Sequence, residues 1–237
     1  MIDRNIVNQN GEAKVTGSIQ IPTFLILFSL TPSLRCGEVR AEGKILKFKG
    51  ITADVTKRRI EVKGNISLES GLIEYYACVS GGKEHETLIM LDCKPEDLYV
   101  ASQSLGLSPG KGVEFQGART APTGDKVYLL IEWKADGKKK SYRAEDLVWD
   151  VQKKAPMQRT HWIFVGSKFE KITESGKPIL MASLQKNIIA TFHDPYVLFD
   201  HPLESGADDT IYEANAELTP KAGTAVRLVI LKDKPVE

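Results

Sequence analysis

Short apolar runs separated by glycine and proline dominate the sequence after residue 42. Residues 45–48 and 59–63 alternate between apolar and polar positions, which is typical of strands with one buried face. Residues 72–79 and 87–91 are largely apolar throughout, which predicts strands that are buried on both faces. We interpret these two runs as neighbouring antiparallel strands joined by residues 80–85. The pattern therefore predicts a mainly β domain.

One helix is predicted, and it begins at Pro95. Proline suits the first helical position because its missing N–H would have no partner there. Leu98, Ala101 and Leu105 fall on one face, and Gly106 can take the left-handed conformation that ends a helix. The same pattern analysis predicts further strands at residues 127–133, 139–143, 162–165, 179–184, 188–192 and 225–231, with a hairpin turn at Asp136 and Gly137.

Segments of the second half repeat segments of the first half in the same order, about a hundred residues later. Residues 60–64, 69–71, 93–98 and 120–131 correspond to residues 162–166, 174–176, 193–198 and 219–230. We interpret this as an internal duplication of a β-β-β-α-β unit, at about residues 58–134 and 160–232. Packing the two units together would give both a core. The predicted fold class is therefore α+β, mainly β, with two pseudo-repeated units in one domain of residues 42–237.

The N-terminal part of the chain, residues 1–41, has a different pattern. A polar stretch precedes a mostly apolar run, residues 19–30, which is too short to span a bilayer and is typical of a secretory signal. Val39-Arg40-Ala41 offers small residues at the −3 and −1 positions of a cleavage site. Cys36 leaves lipid attachment open, although Arg35 before it fits that poorly, and a buried N-terminal element is a third interpretation. We favour export to an extracytoplasmic, periplasmic or envelope-associated location.

Composition argues against several classes of protein. The 32 Lys and Arg residues nearly balance the 31 Asp and Glu residues, so no basic surface for nucleic acid is predicted. Cys36, Cys78 and Cys93 are too few for a disulfide scaffold and match no zinc or iron–sulfur spacing. In the predicted antiparallel pair Cys78 lies opposite Thr87, too far from Cys93 for a disulfide, which would require a different strand arrangement. We expect no cofactor, and membrane attachment only through the N-terminal segment or Cys36.

The polar stretch between the two buried runs, residues 81–86, carries the most reactive side chains. Lys83 can bind an anion, whereas His85 and Glu86 can ligate a metal ion or form a general acid–base pair. The plain structural interpretation is a glycine turn with solvated charges. We match this loop to residues 184–187 alone in the second unit, so its greater length indicates a local purpose. We therefore predict a ligand-binding site, with no catalytic or metal-binding residue assigned, at Gly81, Gly82, Lys83, His85 and Glu86.

A second polar tract lies near the end of the chain. A metal ion could use some of its side chains, but their spacing follows no established ligand pattern. We interpret the tract as a helix start followed by a loop, and its members are His193, Asp194, Asp200, His201, Asp208, Asp209 and Glu213.

Several stretches carry a family resemblance. In the first half they are residues 74–78, 105–110 and the motif Gly81-Gly-Lys-Glu-His-Glu86, and in the second half residues 161–167, 187–191, 194–195 and 206–215. These stretches resemble the YdjY-domain family of bacterial proteins, and the resemblance covers most of residues 61–231. It implies an exported protein without an established activity. Some relatives carry a ferredoxin-like label, which does not transfer because this chain lacks clustered cysteines.

These patterns lead to two functional hypotheses. The first is an exported, non-catalytic binding or envelope-associated protein that uses residues 81–86 as its contact site, with ligand and partner unassigned. The second is a metal-dependent enzyme of the hydrolase type, which uses His85 and Glu86 with help from His193 or nearby acids. Metal content distinguishes the two hypotheses.

Overall fold

The computed structural model describes residues 40–42 and 44–235, all within one compact unit. The predicted leader up to residue 39, including Cys36, lies outside the described residues. None of the helices in the described part has the length and apolar character needed to cross a membrane.

Two α-helices and eighteen strands occur within the described residues, numbered here in chain order. The helices are α1 (Pro95–Ser104) and α2 (Met181–Gln185). The strands up to residue 143 are β1 (Arg40–Glu42), β2 (Ile45–Phe48), β3 (Ile51–Asp54), β4 (Arg59–Ile66), β5 (Gly71–Leu72), β6 (Tyr75–Val79), β7 (Thr87–Leu91), β8 (Asp125–Ala135) and β9 (Lys138–Arg143). The later strands are β10 (Val148–Asp150), β11 (Ala155–Pro156), β12 (Trp162–Phe164), β13 (Phe169–Glu170), β14 (Ile179–Leu180), β15 (Asn187–Ala190), β16 (Phe199–Asp200), β17 (Tyr212–Ala214) and β18 (Ala225–Leu231).

Eight strands close into a barrel, in the order β4-β18-β8-β12-β16-β15-β6-β7, and β7 pairs with β4 to complete the ring. The C-terminal strand β18 lies between β4 and β8, where Leu228 is opposite both Val62 and Ile131. The ring closes where Gly64 of β4 lies opposite Leu91 of β7. The prediction of a mainly β fold is confirmed, and closure leaves no free edge in the ring.

The remaining strands extend or flank the barrel. Strands β1, β2 and β3 continue the sheet outward from β4, and β9 pairs with β8 through the predicted turn at Asp136 and Gly137. A separate four-stranded sheet has the order β11-β10-β17-β5, and β13 pairs with β14.

Two neighbouring pairs of barrel strands are parallel. Strand β6 runs parallel to β7, with Cys78 opposite Met90, and β15 runs parallel to β16, with Ile189 opposite Phe199. The predicted antiparallel pairing of residues 72–91 is therefore wrong, and Cys78 does not lie opposite Thr87. Parallel neighbours ordinarily need a crossover of about a dozen residues or more. Here the connections are only residues 80–86 and residues 191–198, and both lie close against the barrel wall.

Glycines allow the first of these connections to run so close to the barrel. Gly81 has a φ of +85°, which favours glycine over any residue with a side chain. A Cβ atom on Gly82 would lie 2.9 Å from the backbone oxygen of Lys186 and 3.1 Å from Cβ of Cys78. The backbone N–H of Glu74 donates to the backbone oxygen of Glu86, so the chain returns to the start of β6 before β7 begins. The two glycines are therefore a structural requirement of this short parallel connection.

Helix α1 begins at the predicted Pro95, and Leu98, Ala101 and Leu105 are buried as predicted. The prediction of a strand at residues 179–184 is wrong. Strand β14 has two residues and is followed directly by α2, which ends at Lys186 in the left-handed conformation. The α-helix that the repeat predicts at residues 193–198 is not formed, and between β16 and β18 the second half has a 3-10 helix, Glu204–Ala207, and β17.

The barrel interior forms one continuous hydrophobic core. Alternate residues of β4 point inward, and Ile60 and Val62 are fully buried. Aromatic rings fill the centre, where the rings of Tyr76 and Trp162 lie 5.7 Å apart. A smaller cluster beneath the connections at residues 80–86 and 191–198 contains Tyr75, Ile163, Val165, Ala190 and Val197.

Candidate functional site

An open cleft of about 640 Å³ lies where the connections at residues 80–86 and 191–198 approach each other. Its floor is formed by β6 and the start of β15, and one wall comes from the loop after α1. The lining residues are Tyr75, Gly81, Gly82, Lys83, His85, Glu114, Phe115, Gln116, Leu184, Gln185, Asn187, Asp194, Pro195 and Tyr196. Four of the five predicted binding residues, Gly81, Gly82, Lys83 and His85, therefore share one cleft with Asp194 of the second polar tract.

Hydrogen bonds hold the connection at residues 80–86 in place. The backbone N–H of Lys83 donates to Oδ1 of Asn187 at 3.1 Å, and the hydroxyl of Thr87 donates to the backbone oxygen of Lys83 at 2.6 Å. The backbone N–H of Gly81 donates to Oε1 of Glu84 at 2.7 Å. The backbone of Lys83 is therefore held to β15 through Asn187 and to β7 through Thr87.

The ammonium group of Lys83 lies between two carboxylates. Its Nζ is 2.5 Å from Oε2 of Glu74 and 3.2 Å from Oε2 of Glu86. Burial alone would lower the pKa of Lys83, but the hydrogen bonds and charges of Glu74 and Glu86 outweigh burial and raise it. Lys83 is therefore charged, and its charge is largely compensated within the protein. Glu86, the fifth predicted residue, acts here as a partner of Lys83 beside the cleft.

His85 lies at the cleft mouth. Its side chain is 77% exposed, and Nε2 lies 3.6 Å from Oε1 of Glu86. His85 is therefore available to solvent and to a bound molecule, instead of being packed against a neighbouring strand.

Asp194 and Tyr75 form a buried pair at the cleft floor. The hydroxyl of Tyr75 donates to Oδ2 of Asp194 at 2.6 Å, and the backbone N–H of Tyr196 donates to Oδ1 at 2.7 Å. Burial raises the pKa of Asp194, against the opposite effect of these two hydrogen bonds, and burial also raises the pKa of Tyr75. Nε2 of Gln116 donates to the Tyr75 hydroxyl at 3.2 Å. Sequence reasoning missed Tyr75 and Gln116 as site residues. Tyr75 lies in the family stretch 74–78, which is a signal that could have identified it, whereas Gln116 lies in no motif.

Three members of the second polar tract come together behind Asp194, away from solvent. His193, Asp200 and His201 are buried, and one ligand-type atom from each lies within 4.8 Å of the others. Burial lowers the pKa of His201 to about 4. The prediction that the tract opens with a helix is wrong, because residues 193–198 contain no helix. The connection at residues 191–198 is instead anchored from behind by these buried side chains.

The other members of the tract are separate from this cluster. The carboxylate of Asp208 accepts hydrogen bonds from the backbone and side chain of Thr210, and Glu213 lies in β17. Asp208 and Asp209 line a second open cleft, of about 650 Å³, together with Arg119 and Ser205. The seven residues of the tract therefore do not form one site.

The chemistry that the first cleft can perform is limited by its side chains. Its described lining contains amides, carboxyl groups, one lysine, one histidine and the rings of Phe115 and Tyr196, but no Ser, Thr or Cys. Cys78 lies nearby, but it is buried, and burial raises the pKa of its thiol to about 11, so it is a poor nucleophile. The arrangement therefore offers hydrogen-bond donors, acceptors and apolar surface, without an activated nucleophile from these three residue types.

The protein is thus a mainly β, closed-barrel domain. Its polar cleft lies between the two short connections that join parallel strands. A sequence model of the YdjY domain matches residues 51–231. The chain belongs to the YdjY domain family, as its motifs predicted. Neither the curated proteins nor the solved structures contain a significant match to the chain.

Proposed function

We propose that this protein is a non-catalytic binding protein that receives a small molecule in the cleft between residues 80–86 and residues 191–198. The observation that carries the proposal is the cleft itself, which has a volume of about 640 Å³ and is lined by both connections. Clefts of about 300–1,000 Å³ are the usual size of small-molecule sites. The contact residues of the chain are Gly81, Gly82, Lys83 and His85, and Glu86 holds Lys83 in position.

The character of the lining supports this proposal. Phe115 lines the cleft and has 62% of its surface exposed. Gln116 and Asp194 add polar groups within the same cleft. An exposed ring beside convergent polar groups is the usual composition of a binding site, in which the ring supplies contact area and the polar groups fix orientation.

A fragment screen followed by amide NMR shifts tests this proposal. We expect binders among small polar aromatic and polyhydroxyl fragments to shift the amides of residues 81–85, 114–116 and 194–196. A Gln116→Trp variant should fill the cleft and abolish these shifts, whereas Gln103→Trp, at an exposed position of α1, should leave them unchanged. Fragment shifts that cluster in the second cleft around Asp208, or that persist in Gln116→Trp, contradict the proposal.

The alternative proposal is a metal-dependent hydrolase that uses His85 and Glu86. It requires Glu86 to exchange its ion pair with Lys83, at 3.2 Å, for a metal ion. Its test is the transition-metal content of the purified protein: metal that is present in the wild type and lost in His85→Ala supports the hydrolase over the binding protein.

We also propose that the domain arose by duplication. The support is the strand order: β4, β6, β7 and β8 correspond to β12, β15, β16 and β18. This correspondence matches residues 80–86 with residues 191–198, in place of the predicted residues 184–187. It does not keep the sequence match of residues 93–98 with residues 193–198, because the former follow β7 and the latter precede β16. In each set the second and third strands are parallel, the first pairs antiparallel with the third, and β6 pairs with β15 across the middle. An experimental structure tests this, because the two sets should superpose through a rotation of about 180° in the same chain order. A superposition that needs a different strand order contradicts it.

Finally, we propose that the protein is exported. The apolar residues 19–30 and the small residues of Val39-Arg40-Ala41 support this proposal. Cleavage after Ala41 would fall within β1, whose three residues pair only with β2. N-terminal sequencing and mass measurement of native material test the proposal. A mature N-terminus at Glu42 supports export, a lipid on Cys36 supports attachment to the membrane, and an intact Met1 in the cytoplasmic fraction contradicts both.

A further inference from the structure

The buried cluster of His193, Asp200 and His201 has an unusual proton arrangement. Nε2 of His193 lies 3.1 Å from the backbone oxygen of Leu203, and Nε2 of His201 lies 2.9 Å from the backbone oxygen of Thr191. A carbonyl oxygen only accepts hydrogen bonds, so Nε2 carries the hydrogen in both rings. In a neutral imidazole the other nitrogen, Nδ1, then presents a lone pair.

The two Nδ1 atoms are the ring nitrogens that remain able to bind a cation. Nδ1 of His193 lies 2.8 Å from Oδ1 of Asp200, which also accepts the backbone N–H of His201 at 2.7 Å. A lone pair and a carboxylate oxygen cannot approach to this distance unless a proton or a cation lies between them. Nδ1 of His201 accepts the backbone N–H of Leu203 at 3.2 Å, which is the longest hydrogen bond of the cluster.

One atom of the cluster has no partner. Asp200 is fully buried, and its Oδ2 makes no hydrogen bond within the described part of the chain. An unsatisfied buried carboxylate oxygen is costly, and structures normally satisfy it with a water molecule, a hydrogen-bond donor or an ion. The oxygen without a partner belongs to the same carboxylate that contacts Nδ1 of His193. The missing hydrogen bond and the close His193–Asp200 contact therefore occur at one position.

The backbone around the cluster holds the two rings in the way that it holds histidine ligands of metal ions. Histidine ligands usually donate their non-ligating N–H to a backbone carbonyl or a carboxylate, and both rings do so here. A Cβ atom on Gly206 would lie 2.5 Å from the His193 ring, so the chain can close over the cluster only with glycine at this position. All three side chains are at least nine-tenths buried, which is typical of structural sites and not of open catalytic ones.

We propose that this cluster is a structural binding site for a divalent transition metal ion of the zinc type. Nδ1 of His193, Nδ1 of His201 and the Asp200 carboxylate are the ligands. Binding releases the proton between His193 and Asp200 and replaces the long contact from Leu203. The ligand atoms of a tetrahedral zinc ion lie about 3.3 Å apart. Nδ1 of His193 and Oδ1 of Asp200, at 2.8 Å, therefore separate slightly on binding, whereas ligand atoms that lie up to 4.8 Å apart move closer together. The fourth position goes to a water molecule or to the second Asp200 oxygen.

The expected role of the ion follows from its position. All three ligands come from residues 193–201, within a segment that is buried but has little regular structure. The same segment carries Asp194 into the cleft. A metal ion at its back would therefore fix the wall of the cleft from behind, without contact to a bound molecule.

Metal analysis of the full chain tests this inference. Protein produced in zinc-supplemented medium and purified without chelators should contain about one equivalent of zinc. Co²⁺ added to chelator-treated protein should give the visible absorption of a four-coordinate ion, and zinc should raise the Tm at equimolar concentration. Asp200→Asn, which retains the side-chain volume, should lose the cobalt spectrum and the zinc-dependent Tm increase. His85→Ala should keep both, because His85 lies at the exposed cleft mouth.

The wild type alone can overturn the inference, so it does not depend on whether a variant folds. Folded wild-type protein that contains no zinc and shows no Tm change with equimolar Zn²⁺ would leave a buried imidazolium–carboxylate pair as the explanation. Zinc that is retained equally in Asp200→Asn also overturns the inference. Zinc that is lost in His85→Ala but retained in Asp200→Asn assigns the metal to the cleft mouth instead.

Discussion

The hydroxyl of Tyr75 donates a 2.6 Å hydrogen bond to Oδ2 of Asp194 and so joins β6 to the connection at residues 191–198. Tyr75→Phe removes this donor and leaves a buried carboxyl group without it. We expect a loss of about 1–3 kcal/mol in the free energy of unfolding, measured by urea denaturation. Tyr142→Phe is the control, because Tyr142 is half-buried and its ring stacks on Trp133. Equal losses in both variants would contradict a specific role for the Tyr75–Asp194 bond.

Gly82 is predicted to be intolerant of a side chain. In Gly82→Ala the new Cβ atom would lie 2.9 Å from two oxygens, one of them in the backbone of Lys186. We expect the variant to lose about 1–3 kcal/mol of stability, since the short connection cannot move away from β15. In Gly112→Ala the nearest atom to the new Cβ lies 3.5 Å away, so this control should change stability by less than about 0.5 kcal/mol. Thermal unfolding of both variants provides the comparison.

Glu145 should make stability depend on pH. Its Oε1 accepts from Nη2 of Arg143 at 2.7 Å, but its buried Oε2 has no hydrogen bond within the described residues. Burial raises the pKa of Glu145, against the lowering effect of Arg143. The folded state therefore holds this proton more tightly than the unfolded state. As the pH rises from the ordinary glutamate value of 4.5 through the folded-state pKa, the free energy of unfolding should fall.

Urea denaturation between pH 4 and pH 7 measures this effect. The stability of the wild type relative to Glu145→Gln should decrease as the pH rises, because the amide has no proton to lose. Glu204→Gln, at a surface position whose side chain is 80% exposed, should show no such trend. A wild type that gains stability over Glu145→Gln with rising pH would show that Arg143 dominates the environment of Glu145.

The two described cysteines should react slowly in the folded protein. Cys78 and Cys93 are free thiols, and burial raises their pKa values to about 11 and about 12. We expect iodoacetamide at pH 7.5 to leave both unmodified under native conditions and to label both in denaturant without a reductant. Peptide mapping separates these positions from Cys36. A disulfide-linked peptide pair that joins Cys78 to Cys93 would contradict the parallel pairing of β6 and β7.

Local signals in the sequence predict local structure well. Pro95 and the acidic turn after it mark the start of α1, and Asp136-Gly137 marks the turn between β8 and β9. The residues at positions 179–184 are ambiguous because a short apolar run suits a strand or a helix equally. The strand order is not local: closure depends on the pairing of Gly64 with Leu91, and no residue near either position signals it.

The candidate site also combines residues that local sequence signals identify with residues that only the fold brings together. Residues 81–86 stand out because their glycines and charges are contiguous. Tyr75, Gln116 and Asp194 join them only through the fold, since they come from three distant parts of the chain. The false antiparallel pair has a physical cause as well: a connection as short as residues 80–86 usually makes a hairpin, and glycines at 81 and 82 permit the less common parallel return.

The position of β18 determines the order in which the barrel can assemble. The parallel pair β6–β7 brings together residues twelve positions apart, such as Cys78 and Met90, and can form early. Strand β18 is the last strand described, and it fills the gap between β4 and β8 along its whole length. Until residue 231 has been synthesised, β4 and β8 both present unpaired edges. The barrel therefore closes only when β18 is in place. Truncation before Ala225 would leave the edges of β4 and β8 unpaired and the core open to solvent.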